Sequence, residues 1–89
     1  MKTINFKKVE IKGIDGSLQM VDISSDIAQV LYYNTNSIAA VSAALDVYKT
    51  GCANLDKETA VAVKAVVKQN FTAIVQIALN PILDEIINE

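Results

Sequence analysis

The dipeptide Asp15-Gly16 divides two runs in which polar and apolar residues alternate, and this leaves the opening of the chain little choice but a β-hairpin. A two-residue type I′ turn needs positive φ at both central positions, and Asp and Gly adopt it at least cost. The first run holds Ile4, Phe6, Val9 and Ile11 between lysines, and the second spans Ser17 to Ile23. With Asp15-Gly16 as the loop, Ile14 faces Ser17, Lys12 faces Gln19, Ile11 faces Met20 and Val9 faces Asp22. That register gathers Val9, Ile11, Leu18 and Met20 on the face expected to be buried. Ile4 and Phe6 have the opposite parity, and a β-bulge at Lys7-Lys8 returns them to the same side.

Beyond Ile23 the spacing becomes helical. Ser24 or Ser25 offers an N-cap oxygen and Asp26 a first-turn charge, which predicts a helix from about Ser25 to Asn34. The polar cluster Asn34 to Ser37 breaks it, and Asn36 or Ser37 caps a second helix. Its apolar stripe is Ile38, Val41, Leu45 and Tyr48, and it ends at Gly51. Ala39, Ala40, Ala43 and Ala44 add helix propensity and little bulk. Asp56 caps a third helix, whose pattern continues unbroken to about Leu79 through Val63, Val66, Val67, Asn70, Phe71, Ile74 and Ala78. At Asn80-Pro81 this helix stops or kinks. A short segment from Pro81 to about Asn88 follows, with Asp84 and Glu85 in its first turn and Ile82, Leu83, Ile86 and Ile87 as its apolar side. The expected class is α+β: one domain over residues 1–89, with a β-hairpin over 1–23 and three or four helices over 24–89, the third long and central.

Composition narrows the chemistry. The 89 residues include no His, Trp or Arg, which removes the commonest general base, the commonest transition-metal ligand and the side chain best suited to bidentate phosphate recognition. Cys52 is the single cysteine and has no imidazole to activate it, so neither a disulfide within the chain, a thiolate metal cluster nor a thiol nucleophile is expected. The carboxylate sets Asp22 with Asp26, Asp56 with Glu58, and Asp84 with Glu85 all sit at expected helix N-termini, where capping explains them. Gly13 and Gly16 bracket a turn and lack the strand-to-helix setting of a phosphate loop. The expectation is a chain that is not an enzyme and holds no cofactor and no metal.

Eight Lys against ten Asp and Glu give a net charge of -2, which disfavours nucleic acid. The charge is uneven, because Lys2, Lys7, Lys8 and Lys12 crowd the first strand region. That basic strand supports one alternative, a small regulator of nucleic-acid transactions, although lysines also guard strand edges against unwanted pairing. The opening MKTINFKKVE alternates polar and apolar residues, so no secretory signal is expected and a cytoplasmic location follows. The uncharged stretch from Ile27 to Leu45 is long enough to span a bilayer, but Asn34 to Ser37 interrupts it, and it reads as two helices with no membrane role.

Hydrophobic residues make up 52% of the chain, more than a domain this small readily hides, because short chains bury a smaller share of their surface. A homo-oligomer is the economical outcome, a dimer built on the third helix with the segment from Pro81 to Glu89 lying across the partner. The candidate protein interface is Tyr32, Tyr33, Phe71, Val75, Ile82 and Ile86, since adjacent tyrosines cannot both face one core. The favoured function is a non-enzymatic interaction or assembly protein that holds itself and a protein partner.

Three segments, MKTINFKKVEIKGIDG, VDISSDIAQVLY and the helix end from Val47-Tyr48-Lys49 to Gly51, carry a resemblance over roughly the first half of the chain. They resemble small uncharacterised proteins of phages, prophages and mobile elements of gut Bacteroides-type bacteria. The resemblance implies a phage-type accessory protein, an assembly factor or a chaperone for a virion component, and it supplies no site residue.

Overall fold

A computed structural model describes residues 2–89. The order of elements is β1 (Lys2–Asn5), β2 (Val9–Lys12), β3 (Leu18–Val21), α1 (Ser24–Asn34), α2 (Ile38–Thr50), β4 (Cys52–Leu55), α3 (Lys57–Asn70) and α4 (Ala73–Ile87). The class is α+β, with the hairpin ahead of four helices and a second small sheet formed by β1 and β4.

The hairpin turn is one residue longer than expected. Gly13 N–H donates to the Ser17 carbonyl at 2.7 Å, Gly16 N–H donates to the Gly13 carbonyl at 3.0 Å, and Gly16 has φ 86°. No described non-glycine residue has positive φ, so Asp15 does not, and Ile14-Asp15-Gly16 is a three-residue loop: a type I turn closed by a left-handed glycine. The Asp15 carboxylate steadies it by accepting from the Ser17 N–H and hydroxyl at 3.0 and 2.6 Å. The extra residue moves the register to Val9↔Val21, Glu10↔Met20, Ile11↔Gln19 and Lys12↔Leu18. A slip of one residue reverses every side chain on β3. Val9, Ile11, Gln19 and Val21 therefore share the inner face, while Leu18 and Met20, expected in the core, are 61% and 65% exposed.

Ile4, Phe6 and Val9 all reach the core, but through a turn and not a bulge. At Phe6-Lys7-Lys8 the chain leaves one sheet for the other: Lys7 N–H donates to Asn5 Oδ1 at 3.0 Å, and β1 pairs antiparallel with β4 from Lys2↔Leu55 to Asn5↔Cys52. Phe6 is the joint. Its N–H donates to the Gly51 carbonyl at 2.8 Å, its carbonyl accepts from Ile23 N–H at 3.0 Å, and its ring is buried.

Asp22, and not a serine, organises the start of α1, accepting from the Ser24 N–H and hydroxyl at 2.9 and 2.6 Å. Ser37 caps α2 by accepting from Ala40 N–H, and Gly51 closes it at φ 83°. The buried side of α2 is Ala40, Ala43, Ala44 and Val47, so the helix is turned away from its expected stripe. Asp56 caps α3 as expected, accepting from Thr59 N–H at 2.8 Å.

The long third helix is two helices. α3 ends at Asn70, Phe71 and Thr72 are extended, and α4 folds back antiparallel, bringing Gln76 to the Lys68 carbonyl and Asp84 to Lys64. Local bonds settle the break: Gln76 Nε2 donates to the Phe71 carbonyl at 3.0 Å and the Lys68 carbonyl at 3.4 Å, replacing the Val75 and Thr72 amides of a continuing helix, while Asn70 Nδ2 adds a bond to the Val66 carbonyl in the last turn of α3. α4 also runs through Pro81, where the sequence allowed either a stop or a kinked continuation. Asp84 and Glu85 thus lie in the second half of α4, where the helix dipole disfavours them, and each meets a lysine: Asp84 pairs with Lys64, and Glu85 with Lys2 at 2.8 Å.

One cluster joins Phe6, Ile27, Leu31, Val47, Leu55, Val63 and Val67 with Leu79, Leu83 and Ile86 of α4. The C-terminal segment placed by the sequence across a partner is spent within its own fold.

Candidate functional site

The buried face of α1 is Ile27, Ala28 and Leu31, a spacing that carries Tyr32 and Tyr33 out of the core. Their rings meet edge to face at 5.1 Å between centroids. Ala44 of α2 lies opposite Ala28, and small side chains at that position leave a depression of about 380 Å³ lined by Ala28, Gln29, Tyr32, Tyr33, Ala44, Leu45 and Tyr48. Among the described residues no charged side chain lines it. Of its lining, Leu45 is 45% and Tyr48 67% exposed, and Ile38, two turns before Leu45 on α2, is 88% exposed. The arrangement offers an apolar floor with three phenolic hydroxyls and one amide at its rim. Such a surface takes an apolar side chain into the floor and satisfies polar groups around it.

The six interface candidates divide. Tyr32 and Tyr33 are exposed on this groove, Phe71, Val75 and Ile82 are half-buried against the core, and Ile86 is fully buried and presents no surface. Ile38, Leu45 and Tyr48, members of the expected apolar stripe of the second helix, are on the surface. Two stripes at equivalent helical spacing compete on α2, one bulky and one of alanine and valine. The alanine-rich stripe was the signal, because only small side chains let α1 and α2 approach this closely.

A second apolar area follows from the corrected register. Leu18 on the outer hairpin face borders Ile74, Ile77 and Ala78 of α4, with Glu10 and Lys12 alongside.

The lysines are not gathered on one strand. Lys2 on β1 pairs with Glu85, Lys7 and Lys8 lie in the turn, and Lys12 ends β2 in the other sheet. The Lys7 stem lies over Gly51, where a Cβ would come within 2.5 Å of it. The carboxylates act locally. Hydrogen bonds from Ser17, Ser24 and Thr59 hold Asp15, Asp22 and Asp56 respectively below the ordinary carboxylate range, the side-chain bond being the largest cause in each case. Among the described residues no three His, Cys, Asp or Glu side chains come together to hold a metal, and no buried side-chain polar atom lacks a partner. Cys52 is a half-buried free thiol on β4. Among the described residues no helix is long and apolar enough to cross a membrane. Comparisons with protein-family models, curated proteins and solved structures return no match.

Proposed function

We propose that this chain is a small non-enzymatic interaction or assembly protein that associates with itself and holds a protein partner along the α1/α2 groove, in the manner of a phage-type accessory or assembly factor. The observation that carries this reading is the inversion of α2, which buries alanines while Ile38, Leu45 and Tyr48 face outward. A helix that served only its own fold would gain by turning its largest apolar groups inward, at about 25 cal/mol for each Å² removed from water. The outward groups leave that free energy for an association to collect. The uncharged groove suits the apolar face of an amphipathic helix, whose polar side would meet the tyrosine hydroxyls. The non-enzymatic reading rests on the missing His and Arg and on the local roles of Asp22 and Asp56. The phage-type role rests on the resemblance of the first half of the chain.

A photo-cross-linking aromatic residue at Tyr33 or Tyr48, used in extract of the organism that makes the protein, tests the partner surface. The expected result is a discrete adduct containing a second protein, abolished by Leu45→Lys without a change in Tm. Adducts no different from those of a probe at exposed Lys57 would remove the groove from consideration.

A further inference from the structure

Strand β3 is a four-residue open edge that carries neither a charged side chain nor a proline. Exposed edges are normally blunted by lysine, proline or a bulge. The β3 sequence Leu18-Gln19-Met20-Val21 has no charge and no proline, and among the described residues the strand pairs only with β2. The direction of its free groups follows from the turn. Gly13 N–H bonded to the Ser17 carbonyl makes Gly13 and Ser17 a hydrogen-bonded pair, and antiparallel pairs alternate, so Ile11–Gln19 and Val9–Val21 are hydrogen-bonded while Lys12–Leu18 and Glu10–Met20 are not. The N–H and C=O groups of Leu18 and Met20 therefore point away from β2, toward solvent.

We propose that β3 pairs antiparallel with β3 of a second copy about a twofold axis at Gln19, giving a four-stranded sheet in the order β2-β3-β3-β2. This rests on the self-association in the reading above and places it on the hairpin, away from the α1/α2 groove. With Leu18 opposite the partner's Met20, each exchanges both of its outward groups, and four hydrogen bonds use all of them. Charge selects the same register. Across the outer face one row then runs Lys12, Leu18, the partner's Met20, the partner's Glu10, and the symmetry-related row runs the opposite way. Shifting by two residues to oppose Leu18 with itself puts lysines at both ends of a row, and opposing Met20 with itself puts glutamates at both ends. Asp22 meets the partner's Gly16, which brings neither a like charge nor a side chain. A second copy of the chain thus matches this edge in hydrogen bonding, apolar character and charge.

In a Cys52→Ser background, Gln19→Cys faces its own copy across a non-hydrogen-bonded pair with Cα atoms about 4.5 Å apart, within disulfide reach. Mild oxidation is expected to link this variant as a dimer and to leave a Tyr48→Cys control unlinked. Met20→Pro removes an outward N–H and leaves the β2 ladder intact, and Leu18→Lys adds an edge charge at an exposed site. Each is expected to weaken dimerisation by about tenfold or more in light scattering across concentration, with Tm preserved. A dimer that survives both substitutions while Gln19→Cys fails to link overturns edge pairing and leaves self-association standing. A monomer at every concentration overturns both, and the partner groove is then judged by its own cross-link.

Discussion

Three carboxylates in this protein work by the same device, an Asp side chain accepting from the backbone amide and hydroxyl of a Ser or Thr two or three residues on. Asp15 closes the hairpin loop, Asp22 opens α1 and Asp56 opens α3. Each has a folded pKa below its ordinary value, because those bonds favour the charged form. Their stabilising contribution is therefore full above the ordinary carboxylate pKa and is lost as pH falls through the lower folded values. Tm should be flat from about pH 8 to about pH 5 and decline below about pH 4, and Asp22→Ala should lower Tm by a few degrees at neutral pH while flattening the acid decline. A decline unchanged in Asp22→Ala would count against the Ser24 bonds as its source. The sequence showed Asp56 as a cap, because Asp before a helical run is a direct signal. It placed Asp22 at the start of α1 but gave the cap itself to Ser24 or Ser25, which offer the same oxygen chemistry two and three residues on.

Elements were legible where local chemistry decides and obscure where tertiary contact does. The hairpin, α1, the span of α2 and the start of α3 follow from turn and cap residues. The break at Asn70 to Thr72 was hidden because apolar residues keep helical spacing across it, and only the bonds of Asn70 and Gln76 to backbone carbonyls show why the chain turns. β4 was missed because Cys52–Leu55 is short and falls between two helix signals. Its partner β1 is distant in sequence and was assigned to the hairpin. Pro81 is the opposite case, a strong stop signal that was overridden. Leu79, Leu83 and Ile86 sit fully buried on either side of it, and their burial outweighs the lost amide bond to the Ile77 carbonyl. An interior proline costs about 3 kcal/mol, so Pro81→Ala should stabilise the protein by about 1–3 kcal/mol in urea unfolding. No gain would mean that a bend at Pro81 is needed for α4 to lie along α3.

At the scale of the whole molecule, Phe6 ties the two sheets to the helices through both backbone groups and a buried ring. Truncating a core Phe to Ala costs about 3–5 kcal/mol, against a total of about 5–13 kcal/mol for a chain of this length. Phe6→Ala should therefore lower the urea midpoint sharply, and a small shift would show that the two sheets are not joined through this residue. Apolar excess was legible in composition, but its location was not. The face of β3 depended on one loop residue and the face of α2 on a contest between alanines and larger side chains. The pairing of β1 with β4 also sets an order of events during synthesis. Asn5 leaves the ribosome about fifty residues before Cys52, its partner across the ladder, exists. At roughly 5–20 residues per second, Ile4 and Phe6 wait for several seconds while the β2–β3 hairpin and α1, built from neighbours in sequence, are already able to form, and α2 is complete only as β4 begins. β1 is thus among the last elements to dock, and Ile4 stays without its partner strand until β4 has been made.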